Sequence, residues 1–329
     1  MPLSIVLTVH DQAAELRRNL PLLLAQQYEP GFEVIVVDES STDDTDDVLT
    51  QLKASYANLY STYIPESSHY LSRRKLALTL GIKAARNEWI ILTEADCHPE
   101  GEDWLGTMAS YMTDEYDVVC GYTNYTPESK SWYIFLRMLN WWRQQSRPYR
   151  YDGAALAIRK SAFMARNGFL KNLKSLRGEY DYLVNETDRD RIAVVKPVCG
   201  CIRQEEPAPK DWKNIHLYYM DTRRRLHHAF WSRLWFVFVQ FCIHLSYWLG
   251  LAALGIAAWK QEQALMAMAA GLLVLVVGWR TVFGCRLARA CGEHIPLWKL
   301  PFLDIKVAWH YLYFWLRYIF SDKNDFLRK

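Results

Sequence analysis

Short apolar runs alternate with amphipathic segments along the first part of the chain. The runs are rich in β-branched residues, which is typical of parallel strands covered on both faces. They lie at residues 3–9, 34–37, 58–64 and 88–93. The intervening segments have helical spacing. They lie at residues 12–27, from Ser41 or Thr42 to about 55, and 72–85. This alternation predicts an α/β fold with a doubly wound, Rossmann-like sheet.

The last third of the chain has a different pattern. Residues 234–259 contain no Asp, Glu, Lys or Arg, and at about 1.5 Å per residue a helix of this length exceeds the ~30 Å core of a bilayer. A second apolar stretch reaches spanning length at about 264–285 if Arg280 extends its guanidinium toward the interface. The pattern therefore predicts a transmembrane helical hairpin.

Charged residues flank this hairpin unevenly. Arginine is concentrated in residues 209–233, which we expect to form a basic, amphipathic linker at the membrane surface, and again after the second span. The positive-inside rule then places both ends of the hairpin in the cytoplasm. The aromatic-rich tail at 286–329 is expected to be cytoplasmic or interfacial. Its charges favour an interfacial helix at 295–320, with a third span as the alternative.

The composition agrees with two unlike parts. The 329 residues are 51% hydrophobic with a net charge of +3. Residues 1–221 hold 25 Lys and Arg against 31 Asp and Glu, whereas residues 222–329 hold 14 against 5. This split excludes a uniformly basic nucleic-acid binder, so no nucleic-acid partner is expected. Seven scattered cysteines do not form a disulfide framework. We expect a multi-pass protein of the cytoplasmic (inner) membrane, its polar part facing the cytoplasm and membrane lipids among its partners.

Acidic residues follow three of the predicted strands. Asp11 comes after the first strand, Asp38 and Glu39 end the second, and Glu94 and Asp96 follow the fourth. Aspartate is common at turns, so one such residue alone would mean little. Three strand ends together need a counter-charge or hydrogen-bond donors, because the carboxyl ends of parallel strands share one edge. A divalent metal with a phosphorylated ligand, or a polyhydroxy ligand, would satisfy them.

Four segments of the chain, in order, carry a family resemblance. Residues 4–6, 36–44, 75–85 and 92–99 resemble family 2 glycosyltransferases of the GT-A fold, and look most like the membrane-anchored bacterial members. The resemblance covers about residues 3–200. It implies a GT-A catalytic domain at 1–208 that binds a nucleotide-sugar donor.

The resemblance also implies roles for residues at the strand ends. Thr8 and Asp11 would hold the base and ribose of the donor nucleotide. Asp38 would recognise the base, and Asp43 lies in the nucleotide loop of the family. These four residues are therefore expected to bind the nucleoside part of the donor.

Other residues would contact the diphosphate of the donor. Lys75 matches a lysine that faces the diphosphate, and Arg73 and Arg74 beside it are candidates for phosphate contacts. Asp96 matches the last carboxylate of the Asp-x-Asp motif, which coordinates Mg²⁺ or Mn²⁺. Glu94 stands where the family has the first Asp, so it is assigned to the donor site without a direct metal role.

A base must also deprotonate the acceptor hydroxyl. The segment 178–184 looks like the acidic motif on the acceptor side of the family, but Tyr180 stands where the second acid of the common pair would be. Either Glu179 or Asp181 is the base, with Asp181 slightly preferred. The alternative for both is an acidic helix start.

Processive members of the family carry Gln-x-x-Arg-Trp near the membrane. The nearest match, residues 222–226, keeps only the Arg, at Arg225. Arg224 and Arg225 contact donor or acceptor phosphate, or are a topology signal beside anionic lipid.

The resemblance therefore implies a membrane-anchored, inverting, metal-dependent hexosyltransferase. It would move a sugar from a nucleotide donor, expected to be a UDP-sugar, to a lipid-linked or glycan acceptor in envelope polysaccharide or lipopolysaccharide biosynthesis. Two alternatives stay open: a processive polysaccharide synthase, and a non-catalytic membrane scaffold that retains the fold.

Overall fold

The computed structural model describes residues 1–65, 72–146, 148–173, 175–197, 200–227 and 229–321. The last eight residues of the predicted tail, 322–329, lie outside the described residues. The strands are β1 (Leu3–Val9), β2 (Phe32–Asp38), β3 (Leu59–Tyr63), β4 (Trp89–Glu94), β5 (Cys97–Pro99), β6 (Val118–Cys120), β7 (Tyr122–Tyr125), β8 (Leu156–Arg159), β9 (Ile192–Val194) and β10 (Cys201–Gln204).

Helices follow most of these strands, and four come after the last strand. The helices before the last strand are α1 (Ala13–Leu24), α2 (Thr45–Ser55), α3 (Arg73–Ala84), α4 (Trp104–Ser110), α5 (Ser131–Ser146), α6 (Lys160–Ala165) and α7 (Glu179–Asn185). The helices after it are α8 (Pro209–Arg224), α9 (Ala229–Trp259), α10 (Gln263–Cys291) and α11 (Leu300–Ile319).

Seven strands form one mixed sheet in the order β3-β2-β1-β4-β8-β6-β9. The first four of these are parallel, whereas β8 runs antiparallel to both of its neighbours. A smaller sheet has the order β5-β10-β7. The predicted α/β fold with its parallel strands is therefore confirmed.

Both faces of the parallel strands are buried. Ile5 and Leu7 pack with the apolar residues of α1 and α2 on one face, and Val6 packs with α3 on the other. Gly81 allows α3 to lie this close to the sheet, because a Cβ at this position would come within 2.4 Å of the Val6 side chain. Continuous apolar runs, rather than alternating ones, are what such two-sided burial requires.

Helix α2 begins later than Ser41 or Thr42, the predicted caps. It starts at Thr45 with Asp44 as its N-cap residue. Ser41 instead donates to Asp38 Oδ1, and the backbone N–H of Thr42 donates to Asp11 Oδ1. The two hydroxyl residues thus stabilise the loop before the helix.

Helices α9 and α10 form an antiparallel apolar pair. Both are long and apolar enough to cross a membrane, over Phe230–Trp259 and Gln263–Cys291, and these are the two candidate spans among the described residues. Protein buries only 17% and 6% of their most apolar windows. An uncovered apolar surface of this size is typical of helices that contact lipid, and it suggests association with a membrane.

Helix α11 packs against α8, α10 and α5. Its Asp304 is buried and forms an ion pair with Arg280 of α10. The side chains of Trp309, Trp315 and Phe320 are exposed. Helix α11 thus has one buried face and one exposed aromatic face, and its place at the membrane interface stays a prediction.

Candidate active site

A cleft of about 830 Å³ lies over the carboxyl ends of β1, β2 and β4. The register pairs Val9 with Asp38 and Thr8 with Glu94, so these strand ends lie side by side. The cleft continues from this edge to a wall formed by α5, α7 and α8. It is therefore shared by residues far apart in the sequence.

We divide the cleft into two halves. The strand-end half is lined by Thr8, Glu39, Arg74, Glu94 and Asp96. The helical half is lined by side chains of α5, α7 and α8, namely Tyr133, Arg137, Glu179, Asp181, Trp212 and His216.

Asp11, Asp38 and Asp43 order the loop beside the strand-end half and do not themselves line the cleft. Asp38 Oδ1 accepts from the backbone N–H of Ser41 at 2.9 Å. Asp11 Oδ1 accepts from the backbone N–H of Thr42 at 2.7 Å, which lowers the pKa of Asp11. Asp43 Oδ2 accepts from the backbone N–H of Ala13 at 2.9 Å. These three carboxylates join the ends of β1 and β2.

Arg74 is the cation at the centre of the cleft. Its guanidinium forms an ion pair with Glu94, and its Nε lies 3.7 Å from Oε2 of Glu179. Arg73 also lines the cleft and donates to the carbonyl of Glu39 at 3.3 Å. Arg74 therefore connects the strand-end half to the helical half.

Asp96 lies at the base of the cleft. Its Oδ2 accepts from Gln204 at 3.0 Å and its Oδ1 from the Cys97 thiol at 3.2 Å. Burial, together with the neighbouring Glu94 carboxylate, raises the pKa of Asp96 to about 6. The neighbouring carboxylates of Asp96 and Glu94 therefore repel each other at the base of the cleft.

This chemistry fits a hard divalent cation. Carboxylate oxygens are the ligands that Mg²⁺ and Mn²⁺ prefer, and added positive charge would relieve the repulsion between Asp96 and Glu94. No group of three or more His, Cys, Asp or Glu side chains is placed to hold a metal in the described ranges. The protein would therefore supply few ligands, as in magnesium sites completed by substrate phosphates and water.

Lys75 does not line the cleft. It is buried, and its ammonium donates to the backbone carbonyls of Asn172 and Ser175. The side chain therefore joins α3 to the segment before α7. Its predicted role at the diphosphate is not supported by this position.

Gly178 positions the start of α7. It has φ of +89°, a left-handed conformation that favours glycine, and an added Cβ would lie 3.0 Å from Thr222. The next residue, Glu179, is 4% exposed and lines the cleft. Its Oε1 has no hydrogen-bond partner among the described residues.

Tyr180 also lines the cleft, at the position of the missing second acid. Its hydroxyl donates to the carbonyl of Thr93 at 3.4 Å. Burial and the nearby Glu94 raise the pKa of Tyr180 well above its ordinary value. The phenol therefore stays protonated near neutral pH and does not replace a carboxylate base.

Asp181 belongs to a buried network of charges. Its Oδ2 accepts from Arg223 Nε at 2.8 Å, and its Oδ1 accepts from the backbone N–H of Tyr151 at 2.8 Å. Arg223 also donates to Asp152 at 2.9 Å. Although burial opposes ionisation, Arg223, Arg150 and other arginines hold the pKa of Asp152 well below its ordinary value.

Arg224 and Arg225 lie outside the cleft. The Arg224 guanidinium is 5.3 Å from the centre of the Tyr318 ring, and Arg225 pairs with Asp221 one turn earlier at 3.2 Å. The neighbouring Arg223 does not line the cleft either, but it binds Asp181 and Asp152, which do. The sequence prediction chose Arg224 and Arg225 and left out Arg223, because only the approach of α8 to α7 separates the three.

Aromatic side chains dominate the rest of the helical half. Tyr133 stacks on Trp212 with ring centres 4.5 Å apart. His216 donates from Nδ1 to the carbonyl of Trp212 at 2.7 Å when that nitrogen carries the proton, and burial lowers the pKa of His216 to about 4. The sequence did not indicate Tyr133, Trp212 or His216 as cleft residues, because no local motif marks them.

Comparisons with known proteins agree with this architecture. Residues 4–172 match the family described as glycosyl transferase family 2. No curated protein matches the chain. Among solved structures, a mannosyltransferase from Pyrobaculum calidifontis, PcManGT, in complex with GDP-Man and Mn²⁺, is 17% identical with a TM-score of 0.52. The alignment covers 88% of this chain and 86% of that one.

A second similar structure is TarS residues 1–349 from S. aureus in complex with UDP-GlcNAc. It is 15% identical with a TM-score of 0.50, over 94% of this chain and 92% of that one. At these identities the similarity establishes the fold alone.

Proposed function

Because the chain belongs to glycosyl transferase family 2 and has a GT-A fold, we propose that it is an inverting, metal-dependent glycosyltransferase of the hexosyltransferase type. It moves a sugar from a nucleotide donor to a membrane-associated acceptor. The proposal rests on one observation: the acidic strand ends and two buried carboxylates of α7 line the same cleft.

The strand-end half takes the nucleotide donor in this proposal. Asp11, Asp38 and Asp43 shape the loop for the nucleoside, and Thr8 and Glu94 lie beside it. Asp96 would hold Mg²⁺ or Mn²⁺, and such an ion would supply positive charge beside the departing nucleoside diphosphate.

The nucleotide of the donor is proposed to be UDP. The TarS structure contains UDP-GlcNAc, whereas the PcManGT structure contains GDP-Man. Both nucleotides therefore belong in the experiment. Arg73 and Arg74 are the cations that line the cleft nearest the strand ends, and we assign them to the diphosphate.

The helical half takes the acceptor. Its hydroxyl attacks the anomeric carbon from the side opposite the leaving group, which inverts the configuration. Glu179 and Asp181 are the candidate bases, since both line the cleft. The apolar helices α9 and α10 anchor the enzyme in the cytoplasmic membrane with the cleft facing the cytoplasm, so an envelope glycan on a lipid is the proposed acceptor.

The proposal is tested by measuring release of nucleoside diphosphate by the full-length protein in lipid nanodiscs. UDP- and GDP-sugars are supplied in turn with Mn²⁺ and a lipid extract as the source of acceptor. We expect one donor to be turned over, with loss of activity after EDTA and recovery with Mn²⁺. No release from any donor would contradict the proposal and favour a non-catalytic scaffold, and a ladder of long products would favour a processive synthase.

A further inference from the structure

The two buried carboxylates of α7 have different surroundings. Asp181 is 1% exposed and receives hydrogen bonds at both oxygens, from Arg223 and from the backbone of Tyr151. Glu179 is 4% exposed, and its Oε1 has no hydrogen-bond partner among the described residues. Buried polar atoms are nearly always paired, so an unpaired, buried carboxylate oxygen on a side chain that lines the cleft points to a missing donor.

The Arg223 contact makes Asp181 a poor proton acceptor. A proton on Asp181 would replace charge-assisted hydrogen bonds with an uncompensated guanidinium in a buried position. Arg223 is also held by Asp152, which in turn accepts from Asn140 at 2.5 Å. Asp181 would therefore have to leave a network that spans α5, α7 and α8.

Glu179 has no such restraint. Its nearest cation is Arg74, whose Nε is 3.7 Å from Oε2, too far for a hydrogen bond. Arg74 is shared with Glu94 and faces the other oxygen of Glu179. Glu179 thus lines the cleft with a carboxylate that is not fully paired among the described residues, and can take a proton from a ligand bound there.

We infer that Glu179 is the base that takes the proton of the acceptor hydroxyl, and that Arg223 is a positioning residue which holds Asp181 out of that role. This inference rests on the proposed function. The acceptor oxygen bonds to the anomeric carbon as the bond from that carbon to the phosphate oxygen breaks. The electron pair of the broken bond goes to the nucleoside diphosphate, and the hydroxyl proton goes to Oε1 of Glu179.

Arg223 also joins the end of α8 to α7, through its contact with Asp181. The side chain of its neighbour Thr222 would lie 3.0 Å from a Cβ added at Gly178, directly before α7. The end of α8 therefore packs against the start of α7.

The test uses full-length protein in nanodiscs, Mn²⁺, and UDP-N-acetylglucosamine or GDP-mannose. The variants are Glu179→Gln, Asp181→Asn, and Asp181→Asn combined with Arg223→Gln. Glu186→Gln, at the end of the same helix, is the control. We expect Glu179→Gln to lower kcat about 100- to 10,000-fold. Its affinity for UDP, measured by calorimetry, should stay within about threefold of wild type.

Asp181→Asn should lower the melting temperature and reduce kcat by about tenfold, because Arg223 is left without one of its partners. The double variant should recover part of both losses, since the Arg223 charge is removed as well. A kcat for Glu179→Gln above about a tenth of wild type would overturn the inference. The inference would also be overturned by an Asp181→Asn variant whose kcat falls as far as that expected for Glu179→Gln, if the double variant with Arg223→Gln shows the same loss.

The outcome for wild type separates this inference from the proposed function. No nucleoside diphosphate release by the wild-type protein from either donor contradicts the proposed function, and the assignment of Glu179 fails with it. Turnover by wild type that survives Glu179→Gln overturns only the assignment of the base.

Discussion

The two halves of the cleft balance their charges in opposite ways. In the strand-end half, Asp96 and Glu94 face each other with Arg74 as the nearby cation, and the pKa of Asp96 is raised to about 6. In the helical half, Asp181 and Asp152 are bound directly by Arg223. The strand-end half thus retains negative charge for a ligand to neutralise, whereas Asp181 and Asp152 in the helical half are neutralised by the protein itself.

The two carboxylates of α7 in the helical half differ in the same way. Asp181 has protein donors at both oxygens, and Glu179 has an oxygen without one among the described residues. Groups already satisfied by the fold contribute to stability, and groups left unsatisfied are available to a ligand. Substitutions of satisfied and of unsatisfied groups should therefore affect different measurements.

Asp96→Ala should have the largest effect on activity. Removing the carboxylate that we assign to the metal should lower nucleoside diphosphate release by about 1,000-fold or more, and should remove its dependence on Mn²⁺. The melting temperature should fall little, because burial disfavours the charged form of Asp96 and offsets the loss of its hydrogen bonds to Gln204 and Cys97. Equal turnover by wild type and Asp96→Ala would contradict the metal role.

Arg74→Met should have the next largest effect on turnover. The variant leaves Glu94 and Glu179 without the cation between them, and we expect turnover to fall about 100-fold. Weaker binding of UDP, measured by calorimetry, should accompany the loss. Arg74→Lys, which keeps the charge, should recover part of it. An unchanged affinity for UDP in Arg74→Met would show that the guanidinium does not serve the donor.

Lys75→Met, at the neighbouring position, should affect stability instead. The substitution leaves the carbonyls of Asn172 and Ser175 without their buried donor, which costs about 1–3 kcal/mol. Differential scanning calorimetry should show a melting temperature lowered by several degrees, with the affinity for UDP within about twofold of wild type. A selective loss of UDP affinity would restore the diphosphate role that the family resemblance implies for Lys75.

Substitution of His216 should have the smallest effect, a change in how the melting temperature depends on pH. Burial lowers its pKa to about 4 in the folded protein, from about 6.5 in the unfolded chain. The unfolded state therefore binds the proton more tightly, and stability falls as pH decreases from about 6.5 toward 4. His216→Phe should flatten this part of the melting-temperature profile. An unchanged slope in the variant would assign the acid sensitivity to other groups.

The parallel strands and the acidic strand ends could be predicted because their signals are local. Continuous apolar runs follow from burial on both faces of the sheet. The parallel register brings Asp38 and Glu94 to one edge, independently of how the rest of the chain packs. Ser41 and Thr42 show the limit of such reasoning. A hydroxyl residue before a helix satisfies the capping pattern, yet here both serve the loop carboxylates.

The helical half could not be predicted in the same way. Arg223, Arg224 and Arg225 are equivalent as a sequence of three cations, and only the packing of α8 against α7 directs one of them to Asp181. The direction of the Lys75 side chain likewise depends on carbonyls about 100 residues away. Such contacts depend on tertiary packing, which carries no periodic signal.

The measurement that tests this division of the cleft most directly is a crystal structure with UDP and Mn²⁺, in which anomalous scattering locates the metal. The account predicts one Mn²⁺ bound to the Asp96 carboxylate at about 2.0–2.2 Å and bridging to the diphosphate. Oε1 of Glu179 should face the open space on the acceptor side of that diphosphate. A metal bound elsewhere, or a diphosphate among α5 and α8, would contradict the account.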